Sequence, residues 1–287
     1  MTLDVTIDIN RLRDYSTIFS RSEVMSWLKG DFRSLDTKIK RYSDSTKPSY
    51  SNYLEFIKFT YRVLQLHYQN EYVYKNSFLN HWLINELGKS DSVVFNEFRV
   101  GKSVADLAMF NGISKAFEIK TEFDSDKRLS TQIADYKRAF NEVFLIIPSS
   151  KIKLYEKYDS EIGIILFDDS FKNKFELYRT ASTRKNIEPL VLMDLLHTAE
   201  YKAIVDEYFG ELPKMNSFNQ YETCKTLIET IPIAELNGMY LEQLKKRKLD
   251  NVLSSHSFKE LNQICLALKL KKQEKQSLID ILKTPLS

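Results

Sequence analysis

The sequence predicts an α/β protein with a mixed sheet in the middle of the chain and helical regions on both sides of it. Three short apolar runs between residues 93 and 121 are separated by the turn formers Gly101-Lys102 and Asn111-Gly112. A helical pattern follows them, and then the continuous apolar run VFLIIP, which is typical of a strand buried on both faces. The flanking segments carry apolar residues at helical spacing.

The pattern divides the chain into three parts, and each part has its own predicted elements. Residues 1–75 are predicted to form a helical region, whose clearest helix, SYSNYLEFIKFTYRVLQLHY, follows Pro48 and a serine that is suited to cap it. Residues 76–180 form the predicted core. Residues 181–287 carry four helical stretches punctuated by proline and glycine, and are predicted to form a helical domain.

Within the core, the predicted order is helix, three strands, helix, strand. The first helix is NSFLNHWLINELG, which Gly88 would end, and the second is DKRLSTQIADYKRAF. The strands VVFNEFRV, VADLAMF and KAFEIKTE are joined by tight turns and are predicted to be antiparallel. A strand–helix–strand connection makes the third and fourth strands parallel.

Composition sets the broad class of the protein. The chain has 287 residues, a net charge of +3 and only 7 glycines, while 43% of its residues are hydrophobic. These values are typical of an ordinary globular protein, and they permit a nucleic-acid partner without requiring one. The sequence shows no signal peptide and no apolar run of membrane-spanning length, so we expect a cytoplasmic protein that does not contact a membrane.

Three charged residues lie inside the apolar strand patterns, where burial of an unpaired charge is costly. Glu118 and Lys120 are two apart and so share a face of their strand, and the Asn111-Gly112 turn can bring Asp106 beside Glu118. Neighbouring carboxylates repel each other unless a cation lies between them. The two acids and the carbonyl of Ile119 are therefore predicted to bind Mg²⁺ or Mn²⁺, with Lys120 beside a metal-bound water.

A structural role explains the same three residues equally well when they are considered alone. In that interpretation Asp106 and Lys120 form a salt bridge at the end of the sheet, and Glu118 is exposed. The following helix favours the functional interpretation, because Gln132 and Tyr136 are one turn apart on one face and Arg128 precedes Gln132 by four residues.

The segments NEFRVGKSVADLAMFNG and FEIKTEFDSDKRLSTQIADYKRAFNEVFLII together resemble the PD-(D/E)XK nuclease superfamily, in particular a group of bacterial and phage members. The motif D-x11-E-x-K and the Q-x-x-x-Y helix carry this resemblance, which covers residues 76–167. It implies a restriction-endonuclease-like αβββαβ core that cuts phosphodiester bonds with Mg²⁺ or Mn²⁺. Asp106 and Glu118 would be metal ligands, and Lys120 the catalytic lysine.

The resemblance also implies accessory residues. Gln132 and Tyr136 would orient the substrate or the lysine, and one further acid often completes such a site. Glu86 and Glu97 both suit that role. The helical spacing of Glu86 favours an exposed position near the helix end, and Glu97 is the slightly better candidate. The proline that gives the superfamily its name is replaced here by Ala105.

The expected function is therefore a metal-dependent nuclease, with DNA favoured over RNA as its substrate and phage defence or mobile-element biology as its setting. The alternative is a binding or regulatory module that has the fold without turnover and acts through its helical flanks. A homodimer, or a partner protein bound through those flanks, is compatible with both. Zinc-hydrolase and phosphate-loop motifs are absent from the sequence.

Overall fold

The computed structural model of the chain describes residues 8–42, 50–83, 92–247 and 256–286. These residues form two compact units, each assembled from separate stretches of the chain. The first unit holds residues 8–83, 121–123 and 256–286 of the described chain, and the second holds 92–120 and 124–247. The predicted three-part division at 75/76 and 180/181 stays a prediction.

The first unit is helical. Its helices are α1 (Ile9–Thr17), α2 (Arg21–Trp27), α3 (Arg33–Tyr42), α4 (Tyr53–His67) and α5 (Glu71–Phe78), and a π-helical turn (Leu79–Leu83) continues α5. Near the other end of the chain, a 3-10 segment (His256–Leu261) belongs to the same unit. The last two helices of the chain, which are numbered below, complete it.

One apolar core joins the two ends of the chain in this unit. Leu12 and Trp27 lie in the same buried cluster as Phe258, Ile264 and Leu278. The longest helix of the unit, α4, begins where the sequence predicts, but Asn52 rather than a serine caps it, and its side chain accepts a hydrogen bond from the Glu55 backbone N–H at 3.0 Å.

The second unit contains a six-stranded mixed sheet, which confirms the predicted α/β class. Its strands are β1 (Val93–Val100), β2 (Ser103–Phe110), β3 (Ser114–Ile119), β4 (Glu142–Pro148), β5 (Gly163–Phe167) and β6 (Phe175–Arg179), and they lie side by side in chain order. As predicted, β1, β2 and β3 are antiparallel and β3 and β4 are parallel. β4 and β5 are also parallel, and β6 is antiparallel to β5.

Among the described residues, six helices belong to the same unit as the sheet. They are α6 (Leu129–Ala139), α7 (Ile152–Tyr155), α8 (Pro189–Asp194), α9 (Thr198–Phe209), α10 (Gln220–Ile228) and α11 (Ile233–Lys246), while α12 (Asn262–Ala267) and α13 (Lys272–Leu282) belong to the first unit. The first of the four predicted helical stretches, IEPLVLMDLLHTAEYKAIVDEYFG, contains both α8 and α9, which the structure separates between Asp194 and Thr198. No helix in the described part of the chain is both long and apolar enough to span a membrane.

Helix α6 packs on the sheet through the residues that the sequence pattern predicts. Leu129, Ile133, Tyr136 and Phe140 are all buried in one cluster with residues of β1, β2, β4 and β5. Asn141 fixes the junction that follows, because its side chain accepts hydrogen bonds from both the backbone N–H and the hydroxyl of Ser114 at 2.9 Å. This contact sets the position of β3 relative to the end of α6.

Candidate active site

The hairpin of β2 and β3 places two acids opposite each other. Leu107 is paired with Phe117, so Asp106 and Glu118 occupy the next position of the antiparallel register. One oxygen of Asp106, Oδ2, accepts a hydrogen bond from the backbone N–H of Ile119 at 2.7 Å. The Asp106 carboxylate is therefore anchored to the end of β3, beside Glu118.

Glu118 is 4% exposed, and its carboxylate accepts hydrogen bonds from three different side chains. Its Oε1 atom accepts from Lys120 Nζ at 2.9 Å and from Gln132 Nε2 at 2.6 Å, and its Oε2 atom accepts from the Tyr136 hydroxyl at 2.8 Å. A buried carboxylate requires such donors, because it has lost its hydration. Gln132 and Tyr136, on the polar face of α6, thus donate hydrogen bonds directly to Glu118.

Lys120 lies just beyond β3, with its backbone N–H donating to the Ile146 carbonyl at 2.9 Å. Its ammonium also donates to the Gln132 side-chain oxygen at 3.1 Å. The structural interpretation that exposes Glu118 is wrong, because this residue is buried and forms the ion pair with Lys120 at 2.9 Å. The structure thus brings five of the predicted residues together in one cluster: Asp106, Glu118, Lys120, Gln132 and Tyr136.

The Tyr136 hydroxyl is held in its protonated form. Burial raises the pKa of Tyr136 well above its ordinary value, and the negative charges of Glu118 and then Asp106 raise it further. The protonated hydroxyl is the donor in the hydrogen bond to Glu118 Oε2.

The donor set suits a hard divalent cation. An ionised carboxylate has about four acceptor positions, and the three donors to Glu118 leave one of them open on Oε2. Mg²⁺ typically binds through one or two carboxylates together with waters and phosphate oxygens. Among the described residues, no three His, Cys, Asp or Glu side chains converge as a ready-made metal site. Asp106 and Glu118 would hold the ion, and the Ile119 carbonyl stays a predicted third ligand.

The two candidate accessory acids differ in what the structure shows of them. Glu97 lies in β1 opposite Asp106 in the register, since Asn96 pairs with Leu107 and Phe98 pairs with Ala105. Glu97 is exposed. Its φ of 55° lies in the left-handed region, which residues other than glycine rarely adopt. Such strain is concentrated at functional sites. Glu86 lies outside the described residues.

One acid with a shifted pKa, Asp126 in the segment between β3 and α6, was not predicted from the sequence. The Tyr158 hydroxyl donates to the Asp126 carboxylate, and this hydrogen bond, together with the positive charges of Lys157 and Lys120, lowers the pKa of Asp126. No local pattern could have revealed it, because the two partners are 32 residues apart in the sequence.

Comparison with known proteins identifies relatives of this chain. Residues 65–283 match the sequence family described as bacteriophage P4 protein cII. Protein cII of Enterobacteria phage P4 is 29% identical over 131 residues, which cover 44% of this chain and 50% of that protein. The match thus spans about half the length of this relative. A solved protein of unknown function from Silicibacter pomeroyi, SPO1766, is 16% identical over 42% of this chain and 76% of its own, with a TM-score of 0.32.

Proposed function

The chain belongs to the bacteriophage P4 protein cII family, and we propose that it is a nuclease that hydrolyses phosphodiester bonds with Mg²⁺ or Mn²⁺. The observation that carries this proposal is the cluster in which the half-buried Asp106 adjoins the buried Glu118, while Lys120 contacts Glu118 at 2.9 Å. Acidic groups at a strand end, with a lysine beside them, suit the hydrolysis of a phosphate ester.

Each residue of the cluster has a separate role in the proposed reaction. When bound, the cation supplies Lewis-acid polarisation of the phosphate and lowers the pKa of water. Asp106 and Glu118 hold it. Lys120 orients the attacking water and stabilises the negative charge that grows on the phosphate oxygens. Gln132 and Tyr136 act as positioning residues, because they fix the Glu118 carboxylate and the Lys120 ammonium.

DNA is the substrate that we propose, acted on by one chain or by two copies of it in the cytoplasm of a bacterial or phage-infected cell. The experiment is incubation of purified protein with plasmid DNA, linear DNA and a matched RNA, each with Mg²⁺, Mn²⁺ or EDTA. We expect cleavage of DNA that requires the metal and is lost in Asp106→Asn, Glu118→Gln and Lys120→Met.

Lys115→Met is the matched control for these variants. Lys115 lies on the same strand as Glu118 and forms an ion pair with Glu142 at 3.2 Å, and it has no contact with the cluster. The control should cut at the wild-type rate. Cleavage by Lys120→Met at the rate of the Lys115→Met control would refute the role of Lys120.

A second function is favoured by one specific observation. Glu118 and Lys120 neutralise each other, and Glu118 has three donors without a metal, so the cluster is also satisfied as a purely structural network. In that case the chain is a binding module with a nuclease-like core. The two functions differ in thermal stability with Mn²⁺, because a ligand that binds only the folded state raises the Tm. A wild-type Tm that is insensitive to millimolar Mn²⁺ selects the binding module.

A further inference from the structure

A surface cavity of about 410 Å³ lies beside α6, away from the face of this helix that carries Gln132 and Tyr136. Ser130, Ala134 and Lys137 line it, and they follow each other at the four- and three-residue spacing of one helix face. Gln132 and Tyr136 lie on another face, from which they contact the candidate active site. The volume falls within the range of about 300–1,000 Å³ that is usual for small-molecule sites.

The other two walls of the cavity are the loop before β5 and the segment before α8, and hydrogen bonds to backbone carbonyls hold both in place. The Arg179 guanidinium donates to the carbonyls of Tyr158 at 3.3 Å and Asp159 at 3.0 Å. The Glu188 N–H donates to the Arg138 carbonyl at 2.9 Å, which fixes the segment against the end of α6. A ligand therefore does not have to order these walls, and a preformed site loses less free energy on binding.

The two carboxylates that line the cavity are already occupied. Both oxygens of Glu188 accept hydrogen bonds from the Arg138 guanidinium, at 2.9 and 2.8 Å. Asp159 Oδ2 accepts from Lys137 Nζ at 2.6 Å, and its Oδ1 accepts from the Glu161 backbone N–H at 3.0 Å. A cationic ligand would have to displace one of these partners, so the carboxylates do not favour a cation.

The hydrogen-bonding groups that stay unused at the cavity are mainly donors. The Arg184 guanidinium pairs with Glu161 through Nη1 at 2.6 Å, while Nη2 and the buried Nε have no partner among the described residues. The side chains of Asn186 and Ser130, which can donate as well as accept, make no hydrogen bond within the described part of the chain. Three cationic side chains line the cavity against two carboxylates. These groups therefore favour an anion that is rich in acceptors.

The same cavity has an apolar wall. It consists of Ile133, Ala134 and the ring of Tyr158, whose hydroxyl is fixed by its hydrogen bond to Asp126. An aromatic ring is a platform on which any nucleobase can stack, because every base has a flat face. A ligand that carries both a flat ring and an acceptor-rich anionic group matches this cavity.

We propose that the cavity binds a mononucleotide, with its phosphate on Arg184 and its base against Tyr158 and Ala134. A phosphate presents the acceptors that the donors of a guanidinium match. A free nucleotide carries this group, and so does the 5′-phosphorylated end of a strand. The proposal does not rest on the nuclease function, because none of the acids or the lysine of the candidate active site lines the cavity.

The test is isothermal titration calorimetry of the full chain with dAMP, deoxyadenosine and inorganic phosphate, all in EDTA to suppress metal-dependent binding at the candidate active site. Arg184→Ala removes the unused guanidinium donors, and Ala134→Phe fills the cavity from an exposed position of α6. Lys185→Ala is the matched control, because it removes a charge from the same segment at an exposed residue that does not line the cavity. Lys120→Met reports on the candidate active site. Circular dichroism verifies that each variant is folded.

We expect dAMP to bind saturably, and deoxyadenosine and inorganic phosphate each to bind about tenfold more weakly, because each lacks one part of the matched ligand. Arg184→Ala and Ala134→Phe should each weaken dAMP binding by about tenfold, while Lys185→Ala and Lys120→Met should bind it like wild type. The absence of saturable dAMP binding overturns the proposal, as does binding that Arg184→Ala and Ala134→Phe leave unchanged. Loss of binding in Lys120→Met also overturns it, because the nucleotide would then lie at the candidate active site.

Competition with dAMP by oligonucleotides that end in a 5′-phosphate or a 5′-hydroxyl distinguishes the two sources of the ligand. Displacement by the phosphorylated strand alone assigns the cavity to a strand end. Displacement by neither strand assigns it to a free nucleotide. Equal displacement by both strands overturns the proposal, because the phosphate would then contribute nothing.

Discussion

The Glu118–Lys120 pair offers the sharpest test of the candidate site. Glu118 is 4% exposed and Lys120 8%, and their charged atoms are 2.9 Å apart. At an effective dielectric constant of about 20, the attraction over that distance is about 6 kcal/mol, and the cost of removing both ions from water offsets most of it. Loss of one partner leaves the other charge buried, at a cost of about 3 kcal/mol.

We therefore predict strong coupling in a double-mutant cycle. Lys120→Met and Glu118→Gln should each lower the free energy of unfolding by about 3 kcal/mol in EDTA, because each strands a buried charge. The double variant removes both charges and should cost far less than the sum of the two, with a coupling energy of about 3 kcal/mol. All three variants should lack nuclease activity.

The assay must report on the second unit. Both tryptophans, Trp27 and Trp82, belong to the first unit, so their fluorescence follows the wrong part of the chain. Hydrogen exchange of the β3 and β4 amides measures the free energy of opening where the pair lies. Additive costs in the double variant would refute the reasoning, because they would mean that the two charges do not compensate each other.

Further predictions concern stability and the accessory acid. Gly163→Ala should destabilise the protein by about 1–3 kcal/mol in urea unfolding, because the added Cβ would lie 2.3 Å from the Phe144 ring. Gly238 is exposed inside α11 with open space around it, so Gly238→Ala should stabilise the protein by about 0.5–1 kcal/mol. Equal effects of the two substitutions would contradict this account. Burial raises the pKa of Cys265 from 9.0 to about 12, so the unfolded state loses this proton first and stability falls as pH rises from 9 towards 12. Tm measured against pH should show this fall, and Cys265→Ala should make it shallower. Glu97→Gly should raise the free energy of unfolding by about 1 kcal/mol by relieving the φ of 55°, yet lower nuclease activity; unchanged activity would remove Glu97 from the site.

The strands and turns of the sheet could be predicted because short sequence patterns specify them. The Asn111-Gly112 turn suits a tight hairpin, and Gly112 has a φ of 100°. The apolar run of β4 reflects burial on both faces, since Leu145 contacts the α6 side while Phe144 stacks on Phe117 on the other. The division between α8 and α9 was missed because apolar spacing continues through it. His197, an unusual cap, begins α9, and Glu200 accepts its backbone N–H at 2.6 Å.

The site was predictable in its membership and unpredictable in its contacts. A charge inside an apolar strand pattern signals a partner, which identifies Asp106, Glu118 and Lys120. The donor that hydrogen-bonds to each carboxylate oxygen depends on the twist of the sheet and on the position of α6. The spacing of residues along the chain does not specify either of these. Gln132 was expected to be accessory, and the structure places its amide on both Glu118 and Lys120.

The discontinuous first unit has a consequence for biosynthesis. Its apolar core contains Leu261 and Leu282 together with Leu12. The helices of residues 8–83 therefore cannot complete their packing until residues 256–286 have been synthesised. The sheet-containing unit ends by residue 247 and has all its parts earlier. Domains fold as units while synthesis proceeds from the N-terminus. During synthesis, the sheet-containing unit should therefore fold before the first unit. The helices of residues 8–83 would stay incompletely packed, or bound to a chaperone, until residues 256–286 have been synthesised.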